Sequence, residues 1–484
     1  MSSQLTRRQV IGRAVGAGAG LAIGPVAYSQ PRAAAKVIVL GGGLAGLTAA
    51  DELITAGAEA TVLEARSRPG GRVFTLRKPF SDGLYSEAGA LFIPANHDLT
   101  IGLARRLNLK LSVIPQADWD VIFYLNGQRV LPDRQAVGAY PVTLTTEERR
   151  AGLMGMEQYY IARGAADLGD FAGKDWPPES LKQLDQMSFY DYLKQQGASP
   201  GAIQLMRATS YDLEGEGIEG LSALHMLRGV AGSRIEDKVY NIQGGNDLLP
   251  RGLADKLGDK VVLGAEVRRI DRNKDGVEVL YQLNGVIKSI KGDYIVCTLP
   301  FSVLKSIEVR PEWTMTKRRA IDDMPYTNVT RVYLQCKQKF WRKMGLPGHA
   351  ATDLPIQWVW ETTGTQPGPR GIMHTYSTGK HARAIQAMSQ EKRVSYVAEE
   401  LEKVFPGTQA NMESGASFSW DEEPYNKGGY CYFKPGQIFG LLPNATKPDD
   451  RVHFAGEHVS PYPGWMQGAI HSGKRAAKEI LSLK

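Results

Sequence analysis

Lys36-Val37-Ile38-Val39-Leu40-Gly41-Gly42-Gly43-Leu44-Ala45-Gly46 is the stretch that decides the fold. Val37–Leu40 is an unbroken apolar run, the mark of a short buried strand. Gly41, Gly43 and Gly46 then satisfy G-x-G-x-x-G. That pattern is weak alone and gains meaning between a strand and a helix. The helix that follows is apolar at Leu47, Ala50, Leu53 and Ile54, and Gly57 stops it. Ala60-Thr61-Val62-Leu63-Glu64 reads as the next strand. Strand, helix and strand in this length form a βαβ unit, the start of an α/β domain. Gly41 permits the tight turn, Gly43 lets the backbone approach a pyrophosphate, and Gly46 lets helix and strand pack closely. Leu44 and Ala45 open the helix, whose free N–H groups and dipole favour a diphosphate. Glu64 stands where an acid accepts hydrogen bonds from an adenosine ribose.

The fingerprint serves several dinucleotides, and the next segment narrows them. Glu64-Ala65-Arg66-Ser67-Arg68-Pro69-Gly70-Gly71-Arg72 places Arg66 and Arg72 around a second glycine pair. Two guanidinium groups can neutralise a diphosphate and its flanking groups. A nicotinamide enzyme does not need this second turn.

Farther out, the pattern from Thr100 to Gly232 is mostly helical. Short strands return at Val261–Leu263, Val267–Ile270, Val277–Leu283 and Tyr294–Leu299, and again near Arg331–Leu334 and Trp358–Trp360, with a helix at 391–404. The end repeats the opening theme: strand Val452-His453-Phe454, turn Ala455-Gly456-Glu457, then a helix at 465–482. The expected fold class is α/β. A Rossmann-like nucleotide domain is built from the discontinuous segments 35–95, 236–310 and 446–484. A mainly helical subdomain spans 96–235, and an inserted α+β substrate domain spans 311–445.

With 484 residues the chain exceeds one hydrophobic core. Residues 1–30 read as an address: Thr6-Arg7-Arg8-Gln9-Val10-Ile11 sets twin arginines before a weakly apolar Ala14–Val26 run. This predicts twin-arginine export to the periplasm or exterior, and no membrane span in the mature form. The formal charge of +7 falls to about +4 without Arg7, Arg8 and Arg13, too little to argue for nucleic acid. Cys297, Cys336 and Cys431 give neither a disulfide scaffold nor a metal spacing, so no metal is expected. Oligomeric state is left open, a homodimer included.

The Glu64–Arg72 stretch resembles the flavin-containing amine oxidase family, which includes monoamine, polyamine and L-amino-acid oxidases. Other family marks stand in order: Glu87-Ala88-Gly89-Ala90, Gly244-Gly245-Asn246-Asp247-Leu248-Leu249-Pro250, Glu266-Val267-Arg268-Arg269-Ile270, Thr298-Leu299-Pro300, Phe454-Ala455-Gly456-Glu457 and Gly464-Trp465-Met466-Gln467-Gly468-Ala469. The resemblance spans residues 36–484. It implies non-covalently bound FAD held by the turn residues above, with Ala65, Gly71, Gly89, Ala90, Leu91 and Phe92 beside it. Val267 would meet adenine through its backbone, Glu457 would bind near the ribityl chain next to Gly456, and Met466 would hold the flavin pyrimidine edge. Trp465 becomes one wall of the substrate site, and Tyr376 in Ile372-Met373-His374-Thr375-Tyr376 meets the substrate. Tyr430 and His225 line its pocket.

Three positions depart from the family. Phe92 stands where amino-acid oxidases carry an arginine that clamps the substrate carboxylate. Arg331 stands where the family lysine holds a water near flavin N5; an arginine orients water but hardly accepts its proton. Tyr430 follows Gly428-Gly429 where monoamine oxidases attach flavin through cysteine, and Cys431 comes one position late. The expected activity is oxidation of the C–N bond of an L-amino acid or amine to an imine, with oxygen reduced to hydrogen peroxide. Three alternatives stay open: a dehydrogenase passing electrons to a periplasmic carrier, an amine or polyamine oxidase that takes no amino acids, and a non-enzymatic flavoprotein or partner-binding relic of the fold. Glu214, Glu216 and Glu219 are read as a solvated acidic face, with attraction of a cationic amine at an entrance as the alternative.

Overall fold

A computed structural model describes residues 34–114, 121–131, 140–173, 175–233 and 238–483. The segment read as an export leader, residues 1–30, lies outside them. Lys36–Leu40 and Glu59–Glu64 are strands, joined by the helix Leu44–Thr55, as the opening stretch requires. Both lie in a five-stranded parallel sheet, ordered Val261–Leu263, Glu59–Glu64, Lys36–Leu40, Tyr294–Cys297 and Val452–Phe454. Segments from both ends of the chain thus share one sheet, and burial is the reason. Val39, Val62, Val296 and Phe454 lie fully inside it, and parallel strands covered on both faces need apolar residues throughout. The last helix, Met466–Leu481, lies against Leu44–Thr55 so closely that a Cβ on Gly473 would fall 2.4 Å from the Ala45 carbonyl oxygen.

A second, seven-stranded sheet is ordered Met412–Ser419, Val329–Cys336, Gly371–Thr378, Trp358–Glu361, Ala350–Thr352, Ile122–Leu125 and Gln128–Val130. Its last two strands come from the region read as mainly helical. Ile122–Leu125 is four residues long, too short for periodicity to separate strand from helix. It is fixed by parallel pairing with Ala350–Thr352. The strand Val286–Gly292 was not expected; it is mostly exposed and carries no inward apolar face. Its one local signal is the turn Asn284-Gly285, where both residues have positive φ, the hairpin dipeptide that joins it to Gly276–Leu283.

Helices Thr146–Glu157, Phe189–Gln195, Pro200–Ala208 and Ala223–Gly232 agree with the helical reading of that region, and the strand Leu111–Val113 departs from it. No helix among the described residues is long and apolar enough to cross a membrane. All three cysteines are free and buried. Among the described residues no cluster of His, Cys, Asp and Glu could hold a metal ion.

Candidate active site

A cavity of about 1240 Å³ runs along the carboxyl ends of the parallel strands. Gly41, Glu64, Thr298 and Gly456, each at or just past a strand end, line it. Open α/β sheets bind ligands at this edge.

The dinucleotide turn is built as its glycines require. Gly41 has φ +100, and a Cβ there would meet Thr298 Oγ1 at 2.6 Å. Gly46 does not line the cavity; it is a packing residue, since a Cβ there would lie 2.0 Å from the Gly41 carbonyl oxygen. Gly43 is the reverse case. It faces the cavity, and a Cβ there would meet nothing within 4 Å. The helix it begins has no side-chain cap and no acid in its first turn. The last helix is the same: Trp465 is its N-cap residue, without a side-chain bond, and Trp465 and Met466 face the cavity. Two uncapped helix N-termini therefore point positive dipole ends at one space.

Glu64 Oε2 accepts from Gly42 N at 2.7 Å and Oε1 from Arg66 N at 2.8 Å. Burial pushes this carboxyl upward against those two backbone donors. Arg66 and Arg72 reach the cavity with carboxylate partners already in place. Arg66 donates to Glu423 and Asn426. Arg72 Nη1 donates to Glu457 Oε1 at 2.6 Å and to the Gly429 carbonyl at 2.8 Å. Burial works to raise the Glu457 carboxyl, but Arg72, His458 and the Gly464 N–H outweigh it and hold it below the usual range. Ala65, Gly71, Gly89, Ala90, Leu91 and Val267 line the same space.

At the far end the walls are aromatic. Phe92 meets Trp360 edge-on at 5.7 Å between centroids, and Trp360 meets Tyr376 at 5.4 Å. The Tyr376 hydroxyl donates to that of Tyr430 at 3.1 Å, which donates to the Leu213 carbonyl at 2.5 Å. Trp465 packs edge-on against His97, 4.9 Å away. Tyr376 is buried, not half-buried as a strand tyrosine commonly is. Arg331 lies inside the fully buried strand Val329–Cys336, its guanidinium 4.5 Å over the Tyr376 ring, and Nη1 donates to the Glu87 carbonyl at 2.8 Å. His225 and Tyr430 line the chamber as expected.

The solvated reading of this acidic face holds for Glu216 and Glu219, which are exposed, and is corrected for Glu214. Gly215 and Gly217 both have positive φ, which turns the three carboxylates apart. Glu216 pairs with Arg383, Glu219 with Arg207, and Glu214 with His225 inside the cavity wall.

Sequence reasoning missed Trp358, Trp360, Trp420 and Asn246. Trp358 and Trp360 sit two apart on one strand and share its cavity face; that spacing was the available signal. Trp420 Nε1 donates to the Ala88 carbonyl at 2.8 Å. Asn246 Nδ2 donates to the carbonyls of Ala90 and Leu91 at 2.9 and 3.0 Å. Together with Arg331 they hold the segment that carries Phe92.

Glu87 anchors the same segment and accepts from Asn246 N and Thr75 Oγ1, each at 2.8 Å. Burial raises its carboxyl from 4.5 to about 8. A raised acid stabilises the fold below its unfolded value, and that contribution is lost as pH rises through the folded one. Stability therefore falls as pH rises from about 4.5 to about 8. Glu87→Gln is expected to flatten that decline, giving a higher melting temperature than the parent at pH 9 and little difference at pH 5. Parallel curves across the range would contradict the assignment.

The site is a cavity at the carboxyl ends of a parallel sheet that continues into an aromatic chamber. The flavin-containing amine oxidoreductase family model matches residues 44–481, and the chain belongs to that family. It is 33% identical to the putative L-amino-acid oxidase YobN of Bacillus subtilis (strain 168), over 92% of this chain and 95% of that protein. It is 28% identical to an L-amino-acid oxidase of Gloydius blomhoffii, over 94% and 90%. Putrescine oxidase bound to putrescine shares the fold, with a TM-score of 0.80 at 23% identity over 93% of this chain and all of that one.

Proposed function

We propose that the chain oxidises the C–N bond of an L-amino acid or amine, using FAD held without a covalent link. The overall reaction gives an imine, which water hydrolyses to an oxo product and ammonia or an amine, while oxygen becomes hydrogen peroxide. The observation that carries this reading is one cavity faced by two uncapped helix N-termini and continued by an aromatic chamber. The residues present fit the cofactor. Gly43 leaves room for a diphosphate against the first helix, Glu64 keeps acceptor capacity for a ribose, and Met466 offers backbone N–H groups to a pyrimidine edge. Bound FAD would supply the two-electron acceptor.

The side chains do the rest. Trp465, Tyr376 and Trp360 confine the amine and exclude water. Arg331, already fixed to the Glu87 carbonyl, offers its remaining donors to a substrate carboxylate and so replaces the clamp that Phe92 cannot provide. Cys431 is buried beside Glu457, with Sγ 3.4 Å from Oε2, and burial pushes its thiol well upward. A thiol kept protonated is a poor nucleophile, which supports a non-covalent cofactor. Arg7-Arg8 supports export to the periplasm or exterior.

Peroxide formation with a panel of L-amino acids and simple amines tests the reading; a flavin that no amine reduces contradicts it. Phe92→Arg is expected to lower KM about tenfold for carboxylate-bearing substrates, leaving amines without a carboxylate unimproved. Equal shifts for both classes would overturn the placement of Phe92. Arg331 also favours a second reading, a dehydrogenase that uses a carrier instead of oxygen. Rapid reoxidation of the reduced enzyme by air in a stopped-flow experiment would exclude it.

A further inference from the structure

The aromatic chamber contains a charge arrangement that the oxidation alone does not require. Glu214 lines it, a third exposed, and its Oε2 lies 2.6 Å from His225 Nε2. Its loop neighbours are neutralised by arginines on other faces: Glu216 by Arg383 and Glu219 by Arg207. Among the described residues Glu214 has no lysine or arginine partner. His225 is almost wholly buried in the helix Ala223–Gly232, whose N-cap Ser222 accepts from the His225 N–H. Its Nδ1 has no hydrogen-bond partner. The Nε2 contact fixes the ring and the carboxylate relative to one another.

The carboxylate has a counterpart across the chamber. Arg331 stands over Tyr376, Tyr376 donates to Tyr430, and Tyr430 donates to the carbonyl of Leu213, the residue before Glu214. Cation, two tyrosines and anion follow in sequence. Glu214 is partly buried with no cation bonded to it, the fully buried Arg228 being the nearest positive charge it feels, and a ligand cation is the natural group to pair with it.

Resting on the function proposed above, we propose that Glu214, oriented by His225, is the specificity carboxylate for a distal cation. The substrate is then a basic L-amino acid, with its carboxylate toward Arg331 and its side-chain ammonium or guanidinium on Glu214. His225 is a positioning residue in this scheme.

The test compares L-lysine with its neutral near-isostere L-norleucine on the FAD-loaded enzyme, with L-arginine and cadaverine as further arms. The parent should favour L-lysine about 30-fold or more in kcat/KM. Glu214→Gln should remove that preference, raising KM for L-lysine far more than for L-norleucine. Higher activity on lysine than on cadaverine supports the Arg331 end, and parity of the two overturns it while keeping the distal-cation site. Equal use of lysine and norleucine by the parent overturns the proposal whatever the variant does, even where Glu214→Gln fails to fold. A uniform loss on both substrates in a folded variant also overturns it. If norleucine and other neutral amino acids reduce the flavin well, the function stands and only this inference fails; if no amine reduces it, both fail.

Discussion

Gly43→Asp is expected to yield a well-folded protein that retains no FAD. The fold should survive because Gly43 has φ −74 and ψ 174, an extended conformation open to any residue, and its Cβ would meet no atom within 4 Å. Aspartate is also a favoured N-cap, so the cofactor-free form should gain a few tenths of a kcal/mol. The same carboxylate would occupy the dipole end that a diphosphate needs and would repel that diphosphate. Loss of at least 100-fold in FAD affinity is the expected size, judged against the roughly 1.4 kcal/mol that each tenfold represents. The check is a pair of measurements on one sample, released FAD per chain and the melting curve of the cofactor-free protein. A variant that keeps FAD would show that the first helix does not face the diphosphate.

The second large effect concerns the ion pair between the two glycine turns. Arg72 and Glu457 meet at 2.6 Å, with side chains 21% and 8% exposed. Glu457→Leu would leave a guanidinium enclosed without its carboxylate, and would take acceptors from Gly464 N and Cys431 Sγ. Breaking a buried pair on one side costs about 3–5 kcal/mol. Replacing both partners, as in Arg72→Met with Glu457→Leu, should recover most of that loss, because the desolvated charge disappears along with its mate. Chemical denaturation of the parent, both single variants and the double variant gives the coupling directly. Additive losses would mean that the pair acts as two independent groups. FAD retention should fall in all three variants, since the pair lines the cavity.

The cofactor end was legible because its chemistry acts through the backbone, and backbone demands leave glycine in the sequence. Gly41 needs positive φ, Gly43 needs an open side and Gly46 needs close packing; each demand excludes a side chain. The aromatic end is different. Asn246 reaches Ala90 across 156 residues, and no local pattern announces a contact of that kind. Arg331 could be named, but its depth could not, because burial follows from Val329–Cys336 running between two partner strands. Glu214 was misjudged because spacing alone does not show that two glycines turn it apart from Glu216 and Glu219. Ile122–Leu125 was hidden for a related reason: a short apolar run takes its identity from the strand it pairs with, here Ala350–Thr352.

The central claim is that the two helix N-termini and the aromatic chamber serve one flavin and one amine. Anaerobic titration of the purified, FAD-loaded protein with L-amino acids and amines tests it most directly, following the visible absorption of the oxidised flavin. Bleaching by at least one amine, with an oxo product formed in equal amount to the flavin reduced, is the result this account predicts. A protein that takes up no FAD, or a flavin that stays oxidised with every amine, would contradict it.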